Sequence, residues 1–174
     1  MATTRRILLY GPPAAGKQTI LAAYAQRRGI TVEGSVVRCG GEQFPHLVKR
    51  TTDEHAGVEL ITMPGGVWSM DAWWPLLAEA AGVALMLDGQ EAREKADREH
   101  IDALMGMSLP AVRCAIFTKE DLIAKGAVGR VSASVSDDSR IADWETFHTR
   151  NDQPPTLLKP IEWLADQMTN LARR

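Results

Sequence analysis

The segment Gly11-Pro12-Pro13-Ala14-Ala15-Gly16-Lys17-Gln18-Thr19 follows a short apolar run, Arg6 to Tyr10, and opens an amphipathic stretch from Lys17 to about Arg28. Strand, glycine loop, lysine and helix in that order form the context in which G-x-x-x-x-G-K-[ST] cradles phosphate. Such chemistry needs glycines where the backbone turns its N–H groups inward, a helix N-terminus whose partial positive charge faces an anion, and a lysine that reaches the outer phosphates. Gly11, Ala14, Ala15, Gly16, Lys17, Gln18 and Thr19 are therefore candidate phosphate contacts. Gln18 stands where the pattern places the hydroxyl that holds Mg²⁺, and Thr19 follows about 100° further around the helix. Three arrangements remain open: the loop shifts so that Thr19 reaches the ion, Gln18 offers its amide oxygen, or Mg²⁺ is held weakly.

A second constellation, Thr118-Lys119-Glu120-Asp121, comes directly after the apolar run Ala111 to Phe117. That puts it at the carboxyl end of a sheet, on the same rim as the phosphate loop. A carboxylate there accepts from both N1–H and the N2 amine of guanine, which adenine cannot match, while the lysine stem lies along the base. Thr118, Lys119 and Asp121 are thus candidate guanine contacts, the alternative being a helix start with Thr118 as its N-cap.

The elements that must position these loops follow from apolar runs of strand length alternating with amphipathic stretches, which predicts a mostly parallel α/β sheet with helices on both faces. About six strands are expected. His46 to Thr51 pairs antiparallel with Val58 to Met63 across the turn-like Asp53-Glu54-His55-Ala56-Gly57, and this pair is expected at the sheet edge. Thr31 to Cys39 also has strand character. Pro75 suits the first position of a helix running through Ala81. Val83 to Leu87 is a strand stopping at Asp88, and Glu91 to Met105 a helix whose charged residues, from Glu91 and Arg93 through Asp97 to Glu99, form a solvated face. A closing helix, about Thr156 to Arg173, carries the stripe Leu157, Ile161, Leu164, Met168 and Leu171 and should cover the sheet.

The length of 174 residues suits one domain, 1–174. A net charge of -2 provides no global field for nucleic acid. Cys39 and Cys114 fit a reduced, cytoplasmic protein without sulfur-bound metal. The four apolar residues Ile7 to Tyr10 are too few for a signal peptide core or membrane span, and neither Ala2 nor the Ala-Arg-Arg ending offers a lipidation signal, so no membrane anchor is expected. His46, His55, His100 and His148 lack the spacing of a metal or catalytic cluster.

With these motifs in place, the chain resembles the Ras-like small GTPases, and among them the bacterial MglA-type proteins associated with cell polarity and gliding motility. Gly11 to Thr19 resembles the family's phosphate loop, Thr62-Met63-Pro64-Gly65 its third motif, Leu87-Asp88-Gly89-Gln90 the end of its fourth strand, and Thr118 to Asp121 its guanine motif. Thr at position 62, where most small GTPases carry Asp, is similar to the MglA-type pattern. The resemblance implies a P-loop G domain binding GTP or GDP with Mg²⁺, with Gly65 at the phosphates and Gln18 or Thr19 at the metal. Trp144-Glu145-Thr146-Phe147 looks like the sixth strand, which makes His148-Thr149-Arg150 the loop supporting the base and adds Thr149 and Arg150 to the guanine contacts. Ser132-Ala133-Ser134 is a rival for that loop but follows Asp121 too soon.

Several departures bear on hydrolysis. Gly66 stands where the family's water-orienting Gln is found, Thr62 removes a carboxylate behind the metal, Gln18 replaces its hydroxyl ligand, and Pro13 puts a ring beside the γ-phosphate. Because phosphoryl transfer depends on positioning and charge neutralisation, intrinsic hydrolysis should be very slow. No catalytic residue is assigned. Trp68, Trp73 and Trp74, in the segment that in the family rearranges with the nucleotide, form a candidate protein-binding patch. By resemblance, partners are a protein regulator of the roadblock type and polarity or motility machinery. Two other readings stand beside the switch: a pseudo-GTPase scaffold with a degenerate pocket, and a small P-loop ATP-dependent kinase using Lys49, Arg50 or Arg130 toward its acceptor.

Overall fold

The computed structural model of the chain describes residues 4–37, 46–62, 70–88, 90–121, 135 and 137–173. Its centre is β1, Arg5–Tyr10, which pairs in parallel with β4, Val58–Thr62, on one side and with β5, Gly82–Leu87, on the other. Beyond β5 come β6, Val112–Phe117, and β7, Glu145–His148, both parallel. Beyond β4 lie β3, His46–Asp53, and then β2, Glu33–Val37. The order is β2-β3-β4-β1-β5-β6-β7, seven strands rather than about six.

The antiparallel pairing of β3 with β4 agrees with the sequence, with Asp53 opposite Val58. The edge does not. β2 pairs antiparallel with β3, Glu33 opposite Arg50, and takes the outer position. Its Glu33-Gly34-Ser35 start lacks the continuous apolar run of a central strand, which fits a strand paired on one side only.

Unbroken apolar sequence in β1 reflects burial on both faces. Ile7 and Leu9 meet Ile20, Leu21 and Tyr24 of α1, Lys17–Arg28, and Leu157, Ile161, Leu164 and Met168 of a closing helix. Leu8 and Tyr10 face the opposite way, toward Leu77, Ile101 and Leu104. Those belong to α2, Met70–Ala78, and α3, Glu94–Met105, the latter preceded by a 3₁₀ turn, Glu91–Arg93. The closing helix, α4, spans Pro154–Ala172 with prolines in its first turn, where a missing N–H costs nothing.

Three expectations are corrected. Helix α2 starts at Met70 and ends at Ala78, so Pro75 lies inside it and not at its start. Strand β7 includes His148, which moves the following loop to Thr149. Leu171 is 52% exposed, because the stripe outruns the sheet it covers. Among the described helices, none is long and apolar enough to cross a membrane.

Candidate functional site

In an open parallel sheet the loops leaving the strand carboxyl ends share one rim. Here the loops after β1, β5, β6 and β7 meet there. The first is fixed by Gly11, at φ +150, where a Cβ would stand 2.1 Å from the Met86 carbonyl oxygen of β5. No side chain fits that approach. Gly16, at φ +81, is the residue from which α1 begins.

Lys17 is 5% exposed, and its Nζ donates to the Gly11 and Pro12 carbonyls at 2.6 Å each. Among the described residues no carboxylate pairs with it, and burial lowers its pKa to about 8. A buried ammonium held only by carbonyls is an incomplete arrangement, since a buried charge is stabilised chiefly by an opposite charge. The loop therefore suits an anion.

The tetrapeptide lies beside this loop: the Thr118 methyl is 3.7 Å from where a Cβ on Gly16 would stand. Thr118 is tied down by N–H and Oγ1 donation to the Leu87 carbonyl at 2.9 and 3.2 Å. Asp121 is 5% exposed and its Oδ1 accepts the Asn151 N–H at 3.2 Å. Thr149 is buried, donating from N–H and Oγ1 to the Phe117 carbonyl. Arg150 donates its N–H to Thr156 Oγ1, and its guanidinium pairs with Asp152 at 3.0 Å.

The two non-glycine residues with positive φ among the described residues are Ala14 and Lys119, both at φ 64. Each stores backbone strain, and the two motifs hold one each. Lys119 Nζ donates to Asp88 Oδ2 at 2.5 Å.

Asp88, Arg93 and Asp97 are residues that sequence reasoning missed at this site. Asp88 is buried, its N–H donates to Asp97 Oδ1 at 3.2 Å, and Arg93 Nε lies 3.9 Å from its carboxylate. Arg93 Nη2 also donates to the Pro13 carbonyl at 2.8 Å, joining the β5 loop to the phosphate loop. Arg93 and Asp97 were counted with a solvated face, yet Asp97 is fully buried. The apolar periodicity of α3 identifies its core face and does not reveal a loop some eighty residues away in sequence. His148 joins the same rim, with Nδ1 2.6 Å from Glu120 and its ring stacked on Phe117 at 5.4 Å.

Gln18 and Thr19 are exposed. Gln18 Oε1 accepts a hydrogen bond from Lys49 Nζ at 3.0 Å. Mg²⁺ requires oxygen ligands in octahedral geometry and usually at least one carboxylate. Among the described residues no group of three His, Cys, Asp or Glu side chains could hold a metal, and Thr62 presents no carboxylate. At this corner position 18 offers an amide oxygen in place of a hydroxyl, and position 62 a hydroxyl in place of a carboxylate. Of the kinase candidates, Lys49 is thus engaged, Arg50 lies 3.6 Å from Glu59, and Arg130 falls outside the described residues.

Gly65, Gly66, Trp68, Ser132-Ala133-Ser134 and the side chain of Trp73 also lie outside the described residues. Trp74, on α2, is 52% exposed beside a cleft lined by Leu77, Ala80 and Leu109.

Neither a protein-family model nor a curated protein matches the sequence. A solved structure does match in fold: the ADP-ribosylation-factor-like GTP-binding protein, small COPII coat GTPase Sar1, from Encephalitozoon cuniculi in complex with GDP. It superposes with a TM-score of 0.67 at 14% identity, covering 99% of this chain and 83% of that one. The fold is that of a small GTPase.

Proposed function

We propose that this chain is a guanine-nucleotide-binding switch of the Ras-like type, closest in kind to the MglA proteins, with very slow intrinsic hydrolysis. The observation that carries the reading is Lys17, a buried ammonium without a carboxylate partner among the described residues, in a loop packed through Gly16 against the Thr118 to Asp121 segment. Lys17 and the loop N–H groups take the phosphates. Asp121, with Lys119 along the ring and Thr149 at the edge, takes the base. GDP in the Sar1 neighbour is consistent with that assignment. Trp74 supplies an exposed aromatic anchor for a protein regulator or effector, a roadblock-type regulator being the one the MglA resemblance implies.

The Gln18–Lys49 hydrogen bond favours a second reading, a pseudo-GTPase scaffold whose degenerate site binds nucleotide poorly or not at all. Base recognition separates the two readings. The test is Asp121→Asn: a carboxamide there pairs with xanthine in place of guanine, so affinity for GTP should fall and that for xanthosine triphosphate rise, each by roughly a hundredfold. Unchanged preference in the folded variant contradicts the proposal.

A further inference from the structure

At the corner where a divalent cation would be expected, the chain places a cation of its own. Lys49 Nζ donates to Gln18 Oε1 at 3.0 Å, at the first turn of the helix that opens from the phosphate loop. Lys49 is also the register partner of Thr62, the last residue of β4. Facing residues of an antiparallel pair project to the same side, so Lys49 stands over the position where the carboxylate behind the metal is missing.

Its position is built into the fold. At the far end of α1, Asp53 of β3 accepts from Tyr24 Oη at 3.0 Å and pairs with Arg28 at 3.2 Å. From Gln18 to Arg28 the helix advances about 15 Å, and from Lys49 to Asp53 the strand advances about 13 Å. Helix and strand therefore run side by side in one direction, anchored by ion pair and hydrogen bond at one end, and Lys49 arrives at Gln18 at the other. The substitutions at positions 18 and 62 and the lysine at 49 form one arrangement: two groups that would favour a hydrated divalent ion are absent, and the remaining amide oxygen orients an ammonium.

Resting on the guanine-nucleotide reading above, we infer that Lys49 supplies the positive charge toward the bound β- and γ-phosphates, so that nucleotide binds without Mg²⁺. An ammonium is a compact, strongly hydrated point charge with three donors. Gln18 uses one of them, and the others are left for phosphate oxygens. Lys17 and Lys49 then grip the phosphates from the loop side and from the β3 side.

The test is a fluorescence titration of the full chain with a non-hydrolysable N-methylanthraniloyl GTP analogue, once with Mg²⁺ and once with excess EDTA. Wild-type affinity should differ by less than about threefold between the two buffers, and Lys49→Met should weaken binding roughly ten- to a hundredfold in EDTA, with Lys49→Arg retaining most of it. An unchanged melting temperature of Lys49→Met shows that the loss is not unfolding. Strong wild-type binding in Mg²⁺ that collapses in EDTA overturns this inference alone, as does Lys49→Met binding like wild type in EDTA. Absence of binding in both buffers overturns the nucleotide reading and this inference with it.

Discussion

Lys119 Nζ lies 2.5 Å from the Asp88 carboxylate, and this contact joins the loop after β6 to the loop after β5. Asp88 is 1% exposed, and its Oδ1 has no hydrogen-bond partner among the described residues, so the lysine is its principal compensation. Lys119 itself has a left-handed backbone, at φ 64, two residues before Asp121.

Removing one partner should cost more than removing both. Lys119→Met leaves a buried carboxylate unpaired and should destabilise the fold by about 2–3 kcal/mol, while adding Asp88→Asn recovers a large part of that. Urea denaturation of the two single variants and the double variant measures the coupling. Simple additivity would contradict the assignment.

Gly11→Ala tests the closest backbone approach in the site. Its Cβ would stand 2.1 Å from the Met86 carbonyl oxygen at a φ of +150. A loss of about 3 kcal/mol is expected from strain and overpacking together, read as a lower urea midpoint. A midpoint equal to wild type contradicts the geometry.

Lys17 makes both stability and binding depend on pH. Burial lowers its pKa from 10.5 to about 8, so the native state binds fewer protons than the unfolded chain between those values. The charged form is the one disfavoured by folding, and stability should rise as pH increases from about 8 to 10.5, by roughly 3 kcal/mol when this group alone is considered. Phosphate binding has the opposite sign, because it requires the ammonium. Above about pH 8 binding should take up a proton, which calorimetry in two buffers of different ionisation enthalpy detects; Lys17→Met should abolish both the uptake and the binding. Binding with no proton uptake above that pH would contradict the role given to Lys17.

Hydrolysis provides a separate check on the departures at Pro13, Gln18, Thr62 and Gly66. In a single-turnover assay without partner protein, GTP should persist for hours, no faster than the slow intrinsic rates of about 10⁻⁴ per second known for small GTPases. Consumption within seconds would contradict the expectation.

The parts of the site that were legible in sequence are those written locally. The helix Lys17–Arg28 is announced by the glycine loop before it, and the β3–β4 hairpin by its turn: Ala56 N–H donates to Asp53 Oδ1 at 3.0 Å and Gly57 has φ 62. Contacts between distant segments were not legible. Arg93 reaches Pro13 and Lys49 reaches Gln18 only because the sheet order brings those elements together, and neither residue type nor spacing records that order. Strand β2 was misplaced relative to the edge for the same reason, since pairing on one side or two is a tertiary property. Pro75 misled because a proline favours a first turn yet was accommodated inside a helix that begins five residues earlier.

The central claim is that Lys17 and Asp121 hold opposite ends of one guanine nucleotide. Calorimetric titration of the full chain with GDP and, separately, ADP tests it most directly. GDP should bind at least about a hundredfold more tightly than ADP, because the buried Asp121 carboxylate finds paired donors only on guanine. No heat with GDP, or equal affinity for the two, would contradict the account.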